Sequence, residues 1–314
     1  MRVLTLTLNP AIDETIRVDR LVPGEVHRAR SVRYNAGGKG IDVASCLADW
    51  GLAVTVSGFL GAKNDALFEK LFKVKGIDDR FVRLQEATRV NITLVDDAQT
   101  TDVYLTGLAV GPHELSALAG AIQEIAGEGE LAVAALCGSL PIGCPEDFYA
   151  GLTASLAGRG VKVLLDASGG ALKASMAASV LPFAVKPNRA ELSELAGHKL
   201  QAVEDLLPVA RGLCEKGVTL AVVSMGEAGA LFVTRERALV AVKSLDLQGS
   251  TVGAGDAMVA GIAAALLEGG GVERIARLST AFSVGKLSLF GPNLPERAVV
   301  ESLAAEVTIC EMPG

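Results

Sequence analysis

The sequence predicts an α/β domain built around a doubly wound, mostly parallel β-sheet, and three observations support this prediction. Short apolar runs alternate with helical patterns along the chain, as in successive βαβ units. Hydrophobic residues fill 50% of the 314 positions, aromatic residues fill only 4%, and 35 residues are glycine, which suits buried parallel strands and tightly packed helices. Neither a Pro/Ser-rich linker nor a repeat interrupts the pattern, so we expect a single domain over residues 1–314.

The predicted elements follow in chain order. Short apolar runs predict buried strands at Val3–Leu8, Thr55–Phe59, Leu131–Leu136, Val161–Leu165, Phe183–Val185 and Thr219–Ser224. Helical spacing of apolar residues predicts helices at Asp65–Lys75, Pro112–Ile125, Glu146–Leu156, Ala190–Leu195 and Ala202–Lys216. Two further helices are expected over residues 41–50, before Gly51, and at Ala257–Leu267.

Two regions, Thr15–Tyr34 and Thr88–Thr106, break this rhythm. Polar and apolar residues alternate there with little helical period, which predicts half-exposed antiparallel strands. A small sheet of this kind exposes one apolar face and rarely stands alone, so pairing between two copies of the chain would cover it.

The stretch Ser250–Asp256 carries the clearest chemical signal. It reads Ser-Thr-Val-Gly-Ala-Gly-Asp and leads into a helix of small apolar residues. The Gly-Ala-Gly turn lets backbone N–H groups converge at a helix N-terminus, where an anion such as phosphate binds favourably. An aspartate there would repel a phosphate that is only bound, but it is explained if it takes a proton from a hydroxyl that attacks phosphorus. The alternative is an ordinary glycine-rich turn with an aspartate in the first helical turn.

A second glycine-rich segment, Asn35–Gly40, precedes the helix expected over residues 41–50. Glycines allow a ligand to approach the backbone closely, and Lys39 can meet a sugar hydroxyl or a phosphate. The segment is not a Walker A loop, which has four residues between its first glycine and Gly-Lys-Ser/Thr. The alternative is a strand-to-helix turn with a solvated lysine.

The two motifs and the chain between them resemble the ribokinase-like (PfkB) carbohydrate kinase family, and most of all its 1-phosphofructokinase branch. The other matching segments are Gly58–Gly61, Thr88–Asn91, Gly138–Pro141, Val185–Glu191 and Ser224–Ala230. The resemblance implies one kinase domain, a small β-sheet lid with strands inserted at about 12–35 and 88–107, and a homodimer formed through that lid. It also implies ATP-dependent phosphorylation of fructose 1-phosphate to fructose 1,6-bisphosphate.

The resemblance assigns roles to individual residues. Asp256 is expected to be the general base, and the N–H groups of Gly253, Ala254 and Gly255 to stabilise the transferring phosphoryl group. The residues expected to bind the sugar phosphate are Asp13, Arg28, Gly38, Lys39, Asp42, Arg89, Asn91 and Ser139. The residues expected to bind ATP are Lys186, Asn188, Glu191, Ser224, Gly226, Gly229, Ser250 and Thr251, flanked by a helical stretch at Thr280–Ser288.

Mg²⁺ is expected to bridge phosphate oxygens and to meet Glu191 through water, and a monovalent cation is a further candidate cofactor. Without the family, simpler interpretations stay open. Asp13 is then a turn residue after Asn-Pro, Glu191 an acidic residue that favours the first turn of a helix, and Arg28 a solvated side chain.

Two positions depart from the family pattern. Asp42 stands where the family usually carries asparagine, and a carboxylate only accepts hydrogen bonds whereas an amide also donates them. Thr93 stands where 1-phosphofructokinases often carry lysine, so a positive charge near the sugar phosphate is missing. Tagatose 6-phosphate and fructose 6-phosphate therefore stay open as alternative substrates.

Charge and cysteine content exclude other classes of protein. A net charge of −7 and a pI near 5.2 argue against a nucleic-acid-binding protein. Five scattered cysteines and three histidines without metal-ligand spacing predict reduced thiols in a cytoplasmic protein rather than a zinc site. No signal-like or membrane-length apolar segment is found. A catalytically silent sugar-phosphate sensor is the non-enzyme alternative, but a pure binder gains nothing from Asp256 beside a phosphate.

Overall fold

The computed structural model describes residues 1–243 and 252–312, and in this part of the chain helices flank two β-sheets. The larger sheet contains β1 (Arg2–Thr7), β4 (Ala53–Gly61), β5 (Asp78–Leu84), β8 (Leu131–Cys137), β9 (Lys162–Asp166), β10 (Ala184–Val185), β11 (Leu220–Ser224), β12 (Ala230–Val233), β13 (Ala238–Val242) and β14 (Thr308–Glu311). The smaller sheet contains β2 (Ala11–Arg17), β3 (Ser31–Gly37), β6 (Arg89–Val95) and β7 (Thr100–Tyr104).

The helices are α1 (Lys39–Asp49), α2 (Ala66–Lys75), α3 (Pro112–Gly127), α4 (Phe148–Ala157), α5 (Gly169–Ala177), α6 (Arg189–Ala196), α7 (Val203–Lys216), α8 (Ala254–Leu267), α9 (Val272–Leu287) and α10 (Arg297–Glu306), with a 3₁₀ turn at Gly226–Ala228. All seven predicted helices are confirmed as α1, α2, α3, α4, α6, α7 and α8. The last of these begins at Ala254 rather than Ala257, so Asp256 lies within its first turn.

The larger sheet has the strand order β14-β13-β12-β11-β10-β9-β8-β1-β4-β5. Neighbours from β5 to β11 pair in parallel, whereas β11 to β14 form an antiparallel edge. The predicted mostly parallel sheet is confirmed, and the six predicted strands are β1, β4, β8, β9, β10 and β11. From β1 the chain builds first towards β5 and later towards β11, so a crevice opens at the carboxyl ends of β1 and β8, where ligands bind in open α/β sheets.

Helices cover both faces of the larger sheet with separate apolar layers. On one face Ile41 of α1, Ile262 of α8 and Phe282 of α9 belong to one buried cluster. On the other face Leu118 of α3 and Leu206 of α7 belong to a second cluster. This double coverage explains why the parallel strands are apolar along their whole length.

The smaller sheet has the order β3-β2-β6-β7, and its arrangement corrects one sequence prediction. The strands were expected to be antiparallel, but β2 and β6 run parallel, while the other two pairs are antiparallel. The physical reason is that β2 follows β1 and β6 follows β5, and these two strands of the larger sheet point in the same direction. Both chain segments therefore leave the same edge of the larger sheet and continue side by side.

The smaller sheet has one polar and one apolar face. Asp13 of β2 lies opposite Asn91 of β6 on the polar face, which Asn35 of β3 shares. The other face carries the side chains of Ile16, Val32, Ile92, Leu94 and Val103. At its edges Val32 and Val103 are 42% and 45% exposed, so this chain alone leaves the apolar face partly open to solvent.

Candidate active site

A buried ion-pair cluster lies at the carboxyl ends of β9 and β10. Asp166, the last residue of β9, is 1% exposed, and its carboxylate lies 3.2 Å from the Nζ atoms of both Lys39 and Lys186. Burial alone would raise the pKa of Asp166, but the two ammonium groups hold it below its usual value. Asp166 therefore stays ionised and keeps the two lysines side by side at the crevice.

Glycines allow the start of α1 to lie close to β1. Gly38 has a φ of 130°, and a Cβ there would lie 2.6 Å from the methyl group of Thr7. A Cβ at Gly40 would overlap the carbonyl oxygen of Leu6. Only glycine fits both the backbone conformation at Gly38 and the close approach at Gly40, and together they place Lys39 over the end of the sheet.

The N-terminus of α8 faces the same crevice with unpaired donors. Gly253 has a φ of 80°, in the left-handed region, and precedes the first helical residue, Ala254. The N–H of Ala257 donates to the carbonyl of Gly253, so the N–H groups of Ala254, Gly255 and Asp256 have no acceptor within the helix. Donors of this kind, together with the helix dipole, favour a phosphate.

Two lysines flank this turn. A Cβ at Gly255 would lie 3.4 Å from the Nζ of Lys186, and one at Gly253 would lie 3.1 Å from the Nζ of Lys286. Lys286, near the end of α9, also donates a hydrogen bond to the carbonyl oxygen of Val252. The turn therefore combines backbone donors with positive charge, as a polyanionic ligand requires.

Asp256 has the electrostatic properties of a general base that works near neutral pH. Burial raises its pKa most, and the charge of Asp166 adds to this effect. Lys39, Lys186 and Lys286 oppose the rise, and the pKa settles at about 7. A carboxylate with a pKa near the working pH takes up and releases protons efficiently.

Asp42 lies beside Asp256 in the same pocket. Its carboxyl group lies within hydrogen-bonding reach of that of Asp256. Burial raises the pKa of Asp42 well above its usual value, and the charges of Asp256 and Asp13 raise it further. The residue that departs from the family pattern thus contacts the expected base directly.

Asp13 is held in place by its neighbour across the small sheet. The Asn91 side-chain amide donates to Asp13 Oδ1 at 3.0 Å, in line with the β2–β6 register. Burial raises the pKa of Asp13, while Asn91 and Arg89 lower it in part. A Cβ at Gly37 would overlap the Asp13 carboxylate, so glycine is needed for the side chain to occupy this place.

Arg89 anchors the entry of the small sheet. Its guanidinium donates from Nε to the carbonyl of Pro10 at 3.3 Å and from Nη2 to the carbonyl of Asn9 at 3.2 Å. The Asn9 amide in turn donates to the hydroxyl of Ser139 at 3.1 Å. These contacts gather Arg89 and Ser139 around the segment that leads from β1 to Asp13.

The chain matches the model of the pfkB family of carbohydrate kinases over residues 6–297. It belongs to this family. A 1-phosphofructokinase of Xanthomonas campestris pv. campestris is 47% identical over 100% of this chain and 99% of its own, and one of Rhodobacter capsulatus is 43% identical with the same coverage. Among solved structures, phosphofructokinase-2 from Escherichia coli in complex with potassium superimposes with a TM-score of 0.89 at 28% identity, over 97% of this chain and 98% of its own. The chain is therefore a carbohydrate kinase of the PfkB type, and kinases of this family use ATP.

The segment that the PfkB resemblance assigns to the nucleotide begins after β10. Asn188 caps α6: its side chain accepts from the N–H of Glu191 at 2.9 Å, and the Glu191 carboxylate accepts from the N–H of Asn188 at 2.8 Å. Glu191 also raises the pKa of Lys39, which places its charge beside the crevice. Asn188 forms a parallel bridge to Ser224 at the end of β11.

In the 3₁₀ turn after β11, Gly229 is required mainly by the backbone geometry. The N–H of Gly229 donates to the carbonyl of Gly226 at 3.0 Å, and Gly229 has a φ of 83°. A Cβ at Gly229 would overlap the carbonyl oxygen of Ala241. The α9 helix spans Val272–Leu287, so the helical stretch expected at Thr280–Ser288 is its second half.

The contacts described so far do not include Arg28, Thr93, Ser250 or Thr251. Arg28 is exposed in the connection between β2 and β3, away from regular structure. Thr93 donates to Asp102 Oδ1 at 2.7 Å and shares the polar sheet face with Asp13. Ser250 and Thr251 lie outside the described residues.

Sequence reasoning did not find two charged residues of the site, Asp166 and Lys286. Asp166 has a weak signal, since it directly follows the apolar residues of β9 and parallel strands open onto a ligand site at that end. Lys286 has no local signal, because a lysine near the end of a helix is favoured in any case.

Among the described residues, no group of three or more histidine, cysteine, aspartate or glutamate side chains is arranged to hold a metal ion. Within residues 1–243 and 252–312, no helix is long and apolar enough to cross a membrane.

Proposed function

We propose that this kinase transfers the terminal phosphoryl group of ATP to fructose 1-phosphate and forms fructose 1,6-bisphosphate. The observation that carries the proposal is the position of Asp256, whose pKa is about 7, in the first turn of α8 beside unpaired backbone N–H groups. A base and an anion-binding turn at one point are what in-line phosphoryl transfer to a hydroxyl requires. The relatives named 1-phosphofructokinase, at 47% and 43% identity, support the choice of substrate.

The chemical step divides between Asp256 and the α8 turn. Asp256 accepts the proton of the sugar hydroxyl while the hydroxyl oxygen bonds to the γ-phosphorus. The bond from that phosphorus to the bridging oxygen breaks, and its electron pair leaves with ADP. The N–H groups of Gly253, Ala254 and Gly255, with Lys186 and Lys286 nearby, stabilise the charge on the transferring group.

The sugar phosphate lies between the polar face of the small sheet and the larger sheet. Asp13, oriented by Asn91, accepts hydrogen bonds from sugar hydroxyls, and Gly38 and Lys39 line the same pocket. Arg89 keeps guanidinium donors beyond those used on Asn9 and Pro10, and these bind the phosphate already present. Ser139 and Arg28 are the further phosphate contacts, and the latter comes from the β2–β3 connection.

ATP lies along the carboxyl ends of β10 and β11. Lys186 meets its phosphates, and Asn188, Ser224, Gly226 and Gly229 border it, with Ser250 and Thr251 beyond the described residues. Glu191 fits a role in holding Mg²⁺ through water, because the cap orients its carboxylate beside Lys39. The ion itself would neutralise phosphate charge. A monovalent cation is proposed as well, since a family member is known in complex with potassium.

The small sheet acts as a lid over the sugar and as the dimer interface. Its polar face carries Asp13 and Asn91, which fits the sugar, and its apolar face is exposed at Val32 and Val103. Two lids packed by their apolar faces would remove this surface from water in a homodimer. The cytoplasmic location remains a prediction.

The test measures ADP release from Mg-ATP with fructose 1-phosphate, fructose 6-phosphate, tagatose 6-phosphate and fructose side by side. The highest kcat/KM is expected for fructose 1-phosphate, and Asp256→Asn is expected to abolish turnover of all four. Preference for a 6-phosphate would replace the substrate while keeping the mechanism, and would assign Asp42 and Thr93 to specificity. Binding of sugar phosphate with no turnover by the wild type would favour a sensor.

A further inference from the structure

Asp42 and Asp256 form a pair of carboxyl groups that cannot both be ionised. Both lie in the first turn of a helix, Asp42 in α1 and Asp256 in α8, and these two helices pack together. Their carboxyl groups lie within hydrogen-bonding reach of each other, and Lys286 acts on both. A carboxylate has only acceptors, so this contact requires a proton on one of the two groups.

The surroundings decide which group keeps the proton. The charged and titratable groups that act on Asp42 are Asp256 of α8, Asp13 of β2 and Lys286 of α9, and Asp42 in turn acts on Cys46 of its own helix. Those that act on Asp256 are Asp166 of β9, Lys39 of α1, Lys186 after β10 and Lys286. Apart from its partner, each group has one other carboxylate nearby, but Asp256 has three cations and Asp42 has only one, so the proton stays on Asp42.

We propose that Asp42 is a neutral carboxylic acid that donates a hydrogen bond to Asp256 and positions it as the base. In this form Asp42 both donates and accepts, as a side-chain amide does. Its donated hydrogen bond orients the Asp256 carboxylate and leaves a lone pair of Asp256 for the sugar hydroxyl. Asp42 is therefore a positioning residue, and the proposal rests on the assignment of Asp256 as the base.

The shared proton gives the reaction an alkaline limit. When Asp42 loses its proton, the donor to Asp256 is lost and a second negative charge appears beside Asp13 and the anionic substrates. The substrate phosphates do not account for this limit, because their last ionisation has a pKa of about 6. Lys39 does not account for it either, since its pKa is raised by Asp166 and Asp256 in spite of burial.

The first experiment compares the pH profiles of kcat/KM for wild type, Asp42→Asn and the control Asp49→Asn. The control removes a carboxylate from the other end of α1, where it contacts Lys75 outside the site. In wild type kcat/KM is expected to fall about tenfold per pH unit on the alkaline side, as one ionisation dictates. Asp42→Asn keeps a neutral donor, so it should lose this alkaline decline and keep the acid one. Asp49→Asn should keep both.

The second experiment reads the proton without turnover. Infrared difference spectra of wild type minus Asp42→Asn at about pH 8 should contain the C=O band of a protonated carboxylic acid, shifted in D₂O. Asp42→Ser, which keeps a hydroxyl donor, replaces the asparagine variant if thermal unfolding shows that the latter is not folded. Identical pH profiles in wild type and variant, or the absence of the band, would overturn the proposal. Presence of the band without turnover of fructose 1-phosphate would support the shared proton and overturn the proposed substrate.

Discussion

Lys186 and Asp166 form a buried ion pair at the mouth of the crevice, with Nζ 3.2 Å from Oδ1 and side chains only 7% and 1% exposed. Lys39 contacts the other oxygen of the same carboxylate, also at 3.2 Å. One carboxylate therefore holds two ammonium groups that would otherwise repel each other. Their positions follow from Asp166, and the proposed phosphate binding depends on these positions.

Asp166→Asn is expected to destabilise the protein by about 3 kcal/mol near neutral pH, because it leaves buried ammonium charge without its partner. The folded-state pKa of Asp166 is depressed, so its stabilisation is present above the unfolded pKa and is lost as the pH falls through the folded pKa. Urea unfolding of both proteins at about pH 7 measures the difference. Glu194→Gln, which breaks an exposed pair with Lys173, should cost less than about 1 kcal/mol. Equal losses in the two variants would contradict the role of Asp166.

Asp256→Asn is expected to lower kcat by about a hundredfold or more and to stabilise the fold at alkaline pH. Its folded pKa of about 7 lies above its usual value of 3.8, so the charged form is destabilised in the native state. The contribution of Asp256 to the free energy of unfolding is therefore fully present below the unfolded-state pKa and is lost as the pH rises through about 7. The variant should therefore unfold at a higher temperature than wild type at about pH 8, by a smaller margin at about pH 5. A margin that is independent of pH would contradict the raised pKa.

The same pKa predicts the acid side of the activity profile. Asp256 must be ionised to accept a proton, so kcat should rise with pH and approach its plateau above about 7. Because Asp166 raises the pKa of Asp256, Asp166→Asn should move this rise to lower pH. Steady-state rates with saturating substrates over about pH 5 to 9 test this, and an unmoved acid limb in Asp166→Asn would contradict it.

Local sequence predicted the parts of this molecule that depend on local chemistry. The turn before Asp256 and the glycines around Lys39 are recognisable because a backbone that approaches a ligand requires small residues at fixed spacing. The parallel strands were predictable because burial on both faces makes them continuously apolar. Asp166 was not, since its role depends on Lys39, which is 127 positions away in the sequence. The contact between Asp42 and Asp256 depends in the same way on the packing of α1 against α8.

Arg89→Ala is expected to raise the KM for the sugar phosphate about tenfold to a hundredfold with little change in the KM for ATP, since hydrogen bonds to charged groups contribute about 1.5–3 kcal/mol. Arg89→Lys should recover only part of the loss, because lysine lacks the planar fork. Arg20→Ala removes another exposed arginine of the β2–β3 connection and should leave both constants unchanged. An unchanged sugar KM in Arg89→Ala would remove Arg89 from the phosphate site. Arg28→Ala, measured in the same series, tests the second predicted arginine.

Val103→Asp is expected to convert a dimer into a monomer, because it places a charge on the apolar face of the small sheet. Val103 is 45% exposed and shares this face with Ile92 and Val32, so two such faces packed together would bury all three side chains. Sedimentation at micromolar concentration should give a dimer for wild type and a monomer for the variant. Val74→Asp, at a 76% exposed position on α2, introduces the same charge elsewhere and should sediment as wild type. A wild type that is monomeric at this concentration would contradict the interface. Because the small sheet also carries Asp13, the KM for the sugar phosphate should rise more than the KM for ATP when the variant is compared with wild type.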